Sequence, residues 1–167
     1  MNLDDEVGGG EWLGPGRYVG FIRAVKATIT RQQNPCVEFL VECIEGRQTF
    51  RLMLLGKCLW TWRRLASNVG IPKEDREDWP LDFDATDLNR LRADGRSEQD
   101  AKKESRIVIT DSARLGWMFM TKPVGIVVTE KQGDRKKFVG VDETFKPSDD
   151  EVTAARLGLE NDDDIPF

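Results

Sequence analysis

Apolar residues recur at two spacings along this chain, and the spacings divide it into elements. Residues 17–31 alternate with period two: Val19 and Phe21, then Val25, Ala27 and Ile29, with Gly20 and Arg23 interrupting. A long first strand bent at a glycine or bulge lets one strand serve two sheets. Residues 36–54 predict a hairpin that turns at Glu45-Gly46. Setting Ile44 opposite Arg47 faces Val41 with Phe50, Phe39 with Leu52 and Val37 with Leu54. The other face then carries Glu38, Leu40, Glu42, Thr49, Arg51 and Met53. Over 57–69 the period changes to that of a helix, ended by Gly70 and Pro72. Cys58, Leu59, Trp62, Leu65, Ala66 and Val69 share its apolar side, and Trp60 lies opposite with Lys57, Arg63, Arg64 and Ser67. Two short apolar runs occupy 106–120. A second hairpin follows over 123–142; aligning Glu130 with Lys137 puts Ile126, Val128, Val139 and Val141 on one face and Val127, Thr129, Lys136 and Phe138 on the other.

The segments between lack such periods. Residues 1–16 hold Gly8-Gly9-Gly10 and Gly14-Pro15-Gly16 and predict a flexible lead-in, with Trp12 and Leu13 docked. Residues 73–105 form an acidic insert with one short helix around 86–92 and a mobile loop over 94–105. Residues 147–167 predict a disordered acidic tail. Strand, hairpin, helix and late hairpin make the chain mainly β. The expected architecture is a five-stranded OB-fold β-barrel over 17–146, with one helix between strands 3 and 4.

Composition narrows the chemistry. The 167 residues include no histidine, which removes Ser-His-Asp and Cys-His catalysis. Three cysteines, Cys36, Cys43 and Cys58, cannot complete an all-thiolate zinc site, so neither metal nor cofactor is expected. No run approaches the roughly 18 apolar residues of a membrane span. The acidic N-terminus lacks the apolar stretch of a secretory signal, which points to the cytoplasm. The net charge of −5 conceals opposed regions. Residues 148–167 carry seven acids and one base, and 74–104 carry eleven acids and six bases. Outside the ends and the insert, 12–73 with 105–147 hold 18 bases against 8 acids. A basic body with acidic ends suggests a polyanion-binding surface and acidic interaction tails.

The last residues, Asn161-Asp162-Asp163-Asp164-Ile165-Pro166-Phe167, resemble the C-terminal tip of bacterial single-stranded DNA-binding proteins, where an acidic run ends in Ile-Pro-Phe. The resemblance implies that Asp162, Asp163, Asp164, Ile165, Pro166 and Phe167 dock replication, recombination and repair proteins. Over 16–146 the order GRYVGFIRAV, hairpin, Trp-containing helix and late hairpin is similar to phage-encoded single-stranded DNA-binding proteins with an OB fold. That similarity implies a protein of phage DNA replication and recombination, acting in a bacterial host's cytoplasm. The familiar N-terminal strand and Gln/Gly/Pro-rich linker of the bacterial proteins are absent from the sequence.

Sequence-independent binding of a single strand needs cations for phosphates and aromatic faces for bases. Arg17, Arg23, Lys26 and Arg31 lie on or beside the first strand with Tyr18, and Arg47 and Arg51 lie on the first hairpin. Trp60 either stacks on a base or packs under the insert near Trp79. Lys131, Arg135, Lys136 and Lys137 surround Phe138, which points off the apolar face. The pattern leaves open which of Trp117, Met118, Phe119 and Met120 are buried, and whether the protein is a homo-oligomer. Asp82, Asp84 and Asp87 match no catalytic spacing and read as helix caps, so no enzyme activity is expected. The alternative is a decoy that competes for the docking sites of the acidic tip and binds no DNA itself.

Overall fold

The computed structural model describes residues 11–72 and 79–163, with side chains to Glu160. Seven strands and five helices follow in the order β1 (Gly16–Ile29), β2 (Pro35–Cys43), β3 (Gly46–Met53), α1 (Leu59–Asn68), β4 (Leu81–Phe83), α2 (Ala85–Ala93), α3 (Glu98–Glu104), β5 (Ile107–Ile109), α4 (Ser112–Phe119), β6 (Pro123–Gln132), β7 (Lys137–Phe145) and α5 (Asp149–Asp163). A 3₁₀ turn, Gly56–Cys58, leads into α1. The architecture is mainly β. Five antiparallel strands form one sheet in the order β3-β2-β1-β6-β7, and β4 pairs with β5 alone. The edges β3 and β7 approach within 8 Å between Cα atoms without pairing, so the sheet is open. No helix among the described residues is long and apolar enough to cross a membrane.

β1 serves two partners. Gly16–Phe21 pairs with β6 and Gly20–Ile29 with β2, and the register shifts between Ile22 and Ala24. The shift makes Arg23 a bulge and reverses the phase of the alternation. Ile22 and Val25 therefore both face the main core, whereas Val19 and Phe21 face outward. The sequence pattern broke into two halves, Val19 with Phe21 and then Val25, Ala27 and Ile29, and the bulge at Arg23 is the interruption between them.

Both long hairpins pair two residues away from the expected register. Phe39 faces Phe50 and Cys43 faces Gly46, while Glu130 faces Val139 and Gln132 faces Lys137. A slip of two keeps every side chain on its face, as the period-two geometry requires. Phe39 is the centre of the core. It stacks on Phe50 at 4.9 Å and meets Trp62 and Phe119 edge-on at 5.8 and 5.5 Å. Trp62 Nε1 donates to the Met53 carbonyl at 3.0 Å, so the indole is buried with its polar atom satisfied.

The insert is ordered in its described part. Asp84 caps α2, accepting from the Asp87 amide at 3.0 Å. The segment expected as a mobile loop holds α3, whose cap is Ser97, accepting from the Asp100 amide at 3.2 Å. Ala101 is fully buried because α3 lies on the 3₁₀ turn, where a Cβ on Gly56 would strike the Lys102 carbonyl. Leu81 and Ile107 join the main core. At the other end, Leu13 is buried and its amide donates to the Arg47 carbonyl at 3.0 Å. The first ten residues of the expected flexible lead-in lie outside the described residues.

The expected disordered tail is also corrected: residues 149–163 form α5. Its start is a capping box. The Ser148 amide donates to Glu151 at 3.1 Å, and the Glu151 amide donates to the Ser148 hydroxyl at 3.2 Å. Val152, Ala155 and Leu159 then share one side and pack on Val19 and Phe21. Gly158 passes so close to Ile44 that any Cβ there would collide with it. Arg17 holds the first turn, 2.7 Å from Glu151, and with Ser148 keeps that carboxyl below the usual carboxylate range. Leu159→Ala should cost about 2–4 kcal/mol in chemical denaturation, the usual cost of truncating a buried leucine. A loss near zero would show that α5 does not seal the face.

Burial pushes the Cys43 thiol up to about 12, helped by Glu45 and Glu42. The folded state thus keeps a proton that the unfolded chain releases near pH 8.5, so stability is full below that pH and falls as pH rises towards 12. Alkylation of the native protein at pH 8, followed by mass spectrometry, should label half-buried Cys58 well before buried Cys36 and Cys43. Equal labelling would contradict this core.

Candidate nucleic-acid interface

The late hairpin extends from the sheet as a twisted ribbon. Its turn is closed by the Gly133 amide donating to the Lys136 carbonyl at 3.0 Å. Phe138 pairs across the ribbon with Lys131, and its ring lies beside Gly133. The ring is 48% exposed although it is the largest apolar group at the tip. Lys137 sits 3.6 Å from Glu130. Arg135 and Lys136 are exposed at the turn and form no ion pair among the described residues. Lys131 Nζ donates to the Val141 carbonyl at 3.2 Å, which directs this cation along β7 towards the sheet's open seam.

The seam is a second candidate surface. A cleft of about 220 Å³ lies between β3, α1 and β7, lined by Arg51, Trp60, Arg64, Val141 and Glu143 among others. α1 spans it, with Asn68 Nδ2 donating to the Thr144 hydroxyl at 2.9 Å. Trp60 is 61% exposed here, so it does not pack under the insert; Trp79 meets Phe119 instead. Arg64 is 3.4 Å from Glu143 and Arg51 is 3.3 Å from Glu38. Phe138 lies three residues along β7 from Val141, roughly 10 Å at strand rise. The odd spacing puts Phe138 on the face of β7 opposite Val141, so hairpin tip and seam are two candidate surfaces, each with an exposed ring and cations.

The other predicted residues are dispersed. Arg17 is turned to α5, its guanidinium 3.8 Å from the Phe145 ring centroid. Tyr18 packs partly against the main core and donates its hydroxyl to the Gly14 carbonyl at 2.9 Å. Arg23, at the bulge, lies 3.7 Å from Glu42. Arg47 covers the Trp12 ring at 4.8 Å. Lys26, Glu38 and Arg51 are in register across β1, β2 and β3, a row of alternating charge on the outer face. Arg31 is exposed in the β1–β2 turn. Of the tip, Asp162 and Asp163 fall in the last turn of α5, and Asp164, Ile165, Pro166 and Phe167 lie outside the described residues.

The aspartates of the insert are structural. Asp82 accepts from the Phe83 amide at 2.8 Å, Asp84 is a cap, and Asp87 accepts from the Arg106 amide at 3.2 Å while facing Arg90. No three His, Cys, Asp or Glu side chains among the described residues are grouped to hold a metal ion.

Glu143→Gln should release Arg64 and tighten binding of a single-stranded oligonucleotide by a few fold. It should also steepen the salt slope by up to about 0.7, the contribution of one phosphate. Weaker binding in this variant would take the seam out of the interface. Comparison with protein-family models and with curated proteins finds no match to this sequence.

Proposed function

We propose that the protein is a non-catalytic, sequence-independent single-stranded DNA-binding protein. It coats transient single strands during phage DNA replication and recombination in the bacterial cytoplasm, and recruits partner proteins through the DDDIPF segment. The observation that carries the reading is the β6–β7 hairpin: an exposed Phe138 among Lys131, Arg135, Lys136 and Lys137. An exposed ring costs solvation that a stacked base recovers, and the surrounding cations take the flanking phosphates.

The strand order supports an OB-type architecture. Counting the five strands of the large sheet in sequence, the order is 3-2-1-4-5, with the first strand central and a helix leaving the third. Bringing edges β3 and β7 together would close a five-stranded barrel, and OB folds are characteristically part-open. In this reading the hairpin is the loop between strands 4 and 5, which flanks the ligand in such folds.

The test is a salt titration of binding to labelled oligothymidylate with duplex as competitor. Contact with several phosphates predicts a slope of log K against log salt of roughly −2 to −4. Phe138→Ala should weaken binding by about 1–3 kcal/mol with little change in melting temperature. Absence of oligonucleotide binding with partner capture intact would favour the decoy; metal-dependent loss of the oligonucleotide would reveal a nuclease.

A further inference from the structure

A second exposed ring lies away from the hairpin. α4 buries Leu115, Met118 and Phe119, which leaves Trp117 outward and 60% exposed. Two cations attend the indole: the Arg114 guanidinium carbon is 4.6 Å from the ring centroid and Lys122 Nζ is 5.8 Å from it. Arg114 comes from one helical turn before. Lys122 comes from the connection to β6, where Thr121 has φ 63°, a left-handed conformation unusual for a branched residue.

That connection is fixed to the bulge of β1. The Thr121 amide donates to the Ile22 carbonyl at 2.8 Å, and the Ile22 amide donates to the Lys122 carbonyl at 3.0 Å. The Lys122 backbone is thereby held to Ile22, the residue before Arg23. Thr121, Arg23, Arg156 and Phe21 line a cleft of about 320 Å³, and both guanidiniums lie over Phe21, at 5.8 and 5.5 Å. Arg114, Trp117, Lys122, Arg23 and Arg156 thus follow one another across α4, the connection, β1 and α5. Among the described residues, acids along this strip include Asp111, which caps α4, Glu42 beside Arg23, and Glu160 in the cleft.

We propose that this strip is a second contact surface for single-stranded nucleic acid, with Trp117 stacking on a base and Arg114, Lys122, Arg23 and Arg156 receiving phosphates. It rests on the single-strand binding proposed above and extends the path beyond the hairpin and seam. A flat exposed ring between cations, as at Trp117, suits a polymer that alternates planar bases with anionic groups. An acidic peptide offers the anions without the planes.

The experiment compares wild type, Trp117→Ala and Trp117→Phe on oligothymidylates of about 8 and about 25 nucleotides, which bracket the roughly 4–16 nucleotides one such domain covers. On the longer strand Trp117→Ala should bind roughly tenfold more weakly and Trp117→Phe should recover part of the loss, whereas the short strand should bind all three equally. Equal affinities on the longer strand would overturn the inference while leaving the proposed function intact. A matching loss on the short strand would also overturn it, by placing Trp117 in the first site. If wild type binds neither strand, the proposed function itself fails and this inference with it. An indole emission change with the peptide DDDIPF but not with DNA would identify a peptide site instead. Melting temperatures should stay within a degree or so, because the ring is outside the core.

Discussion

One strand has to pair with two others that do not meet, and the bulge at Arg23 is how it does so. Without an extra residue, β1 would present one uninterrupted alternation, and its halves could not pair with β6 and β2 while Ile22 and Val25 both face inward. The bulge turns the strand and inverts its phase. The consequences spread outward. Val19 and Phe21 become an apolar strip on the outer face, which demands a cover, and α5 supplies it. Ile22 presents its backbone groups to Thr121 and Lys122, which fixes the end of α4 and the start of β6. The bulge thereby positions both the late hairpin and the tryptophan-bearing helix.

The aromatic cluster around Phe39 does the complementary task of holding the open sheet in shape. β3 and β7 share no ladder, so closure of that side falls to side chains. Phe39 and Phe50 stack within the β2–β3 hairpin, Trp62 reaches in from α1, and Phe119 from α4. Rings in edge-on contact gain something beyond their area, on the order of 0.5–1.5 kcal/mol per pair. The cluster lets an exposed Trp60 coexist with a buried Trp62 two residues away, because burying one side of α1 turns the other to the seam.

Period-two faces were legible in the sequence because they depend only on alternation; the exact register was not. Both hairpins slipped by two residues, a shift invisible to any face-based argument, and Gln48 rather than Phe50 came to oppose Val41. Phe138 kept its outward direction for the same reason. Parity was lost at Arg23, where alternation itself breaks, and again in the β6–β7 ladder between Val127 and Val128. The helix α5 was missed although its signals were present: Ser148 and Glu151 at capping-box spacing, then Val152, Ala155 and Leu159 at helical spacing. The density of acids outweighed three apolar positions that make sense only once an outer strip on β1 exists to receive them. Trp117 was ambiguous for a related reason. A four-residue apolar run has no period until the helix boundary at Asp111 is known.

Much of the basic surface is paired in the folded chain, and that bears on how the proposed interface would work. Arg17, Arg23, Arg51, Arg64 and Lys137 each face a carboxylate at 2.7–3.7 Å. These pairs are largely exposed, and an exposed pair contributes only about 0–1 kcal/mol. A phosphate approaching such an arginine displaces a weak partner at small cost, and the released carboxylate is rehydrated. Pairing therefore lowers non-specific attraction at a distance without closing the contact. The cations at the hairpin turn, Arg135 and Lys136, form no ion pair among the described residues, although Asp134 adjoins them in the turn. On the proposed reading, the turn captures a strand first, and the paired arginines of the seam engage as the strand comes close enough to compete with Glu143 and Glu38. Order of engagement then follows from charge pairing alone, with no change of fold.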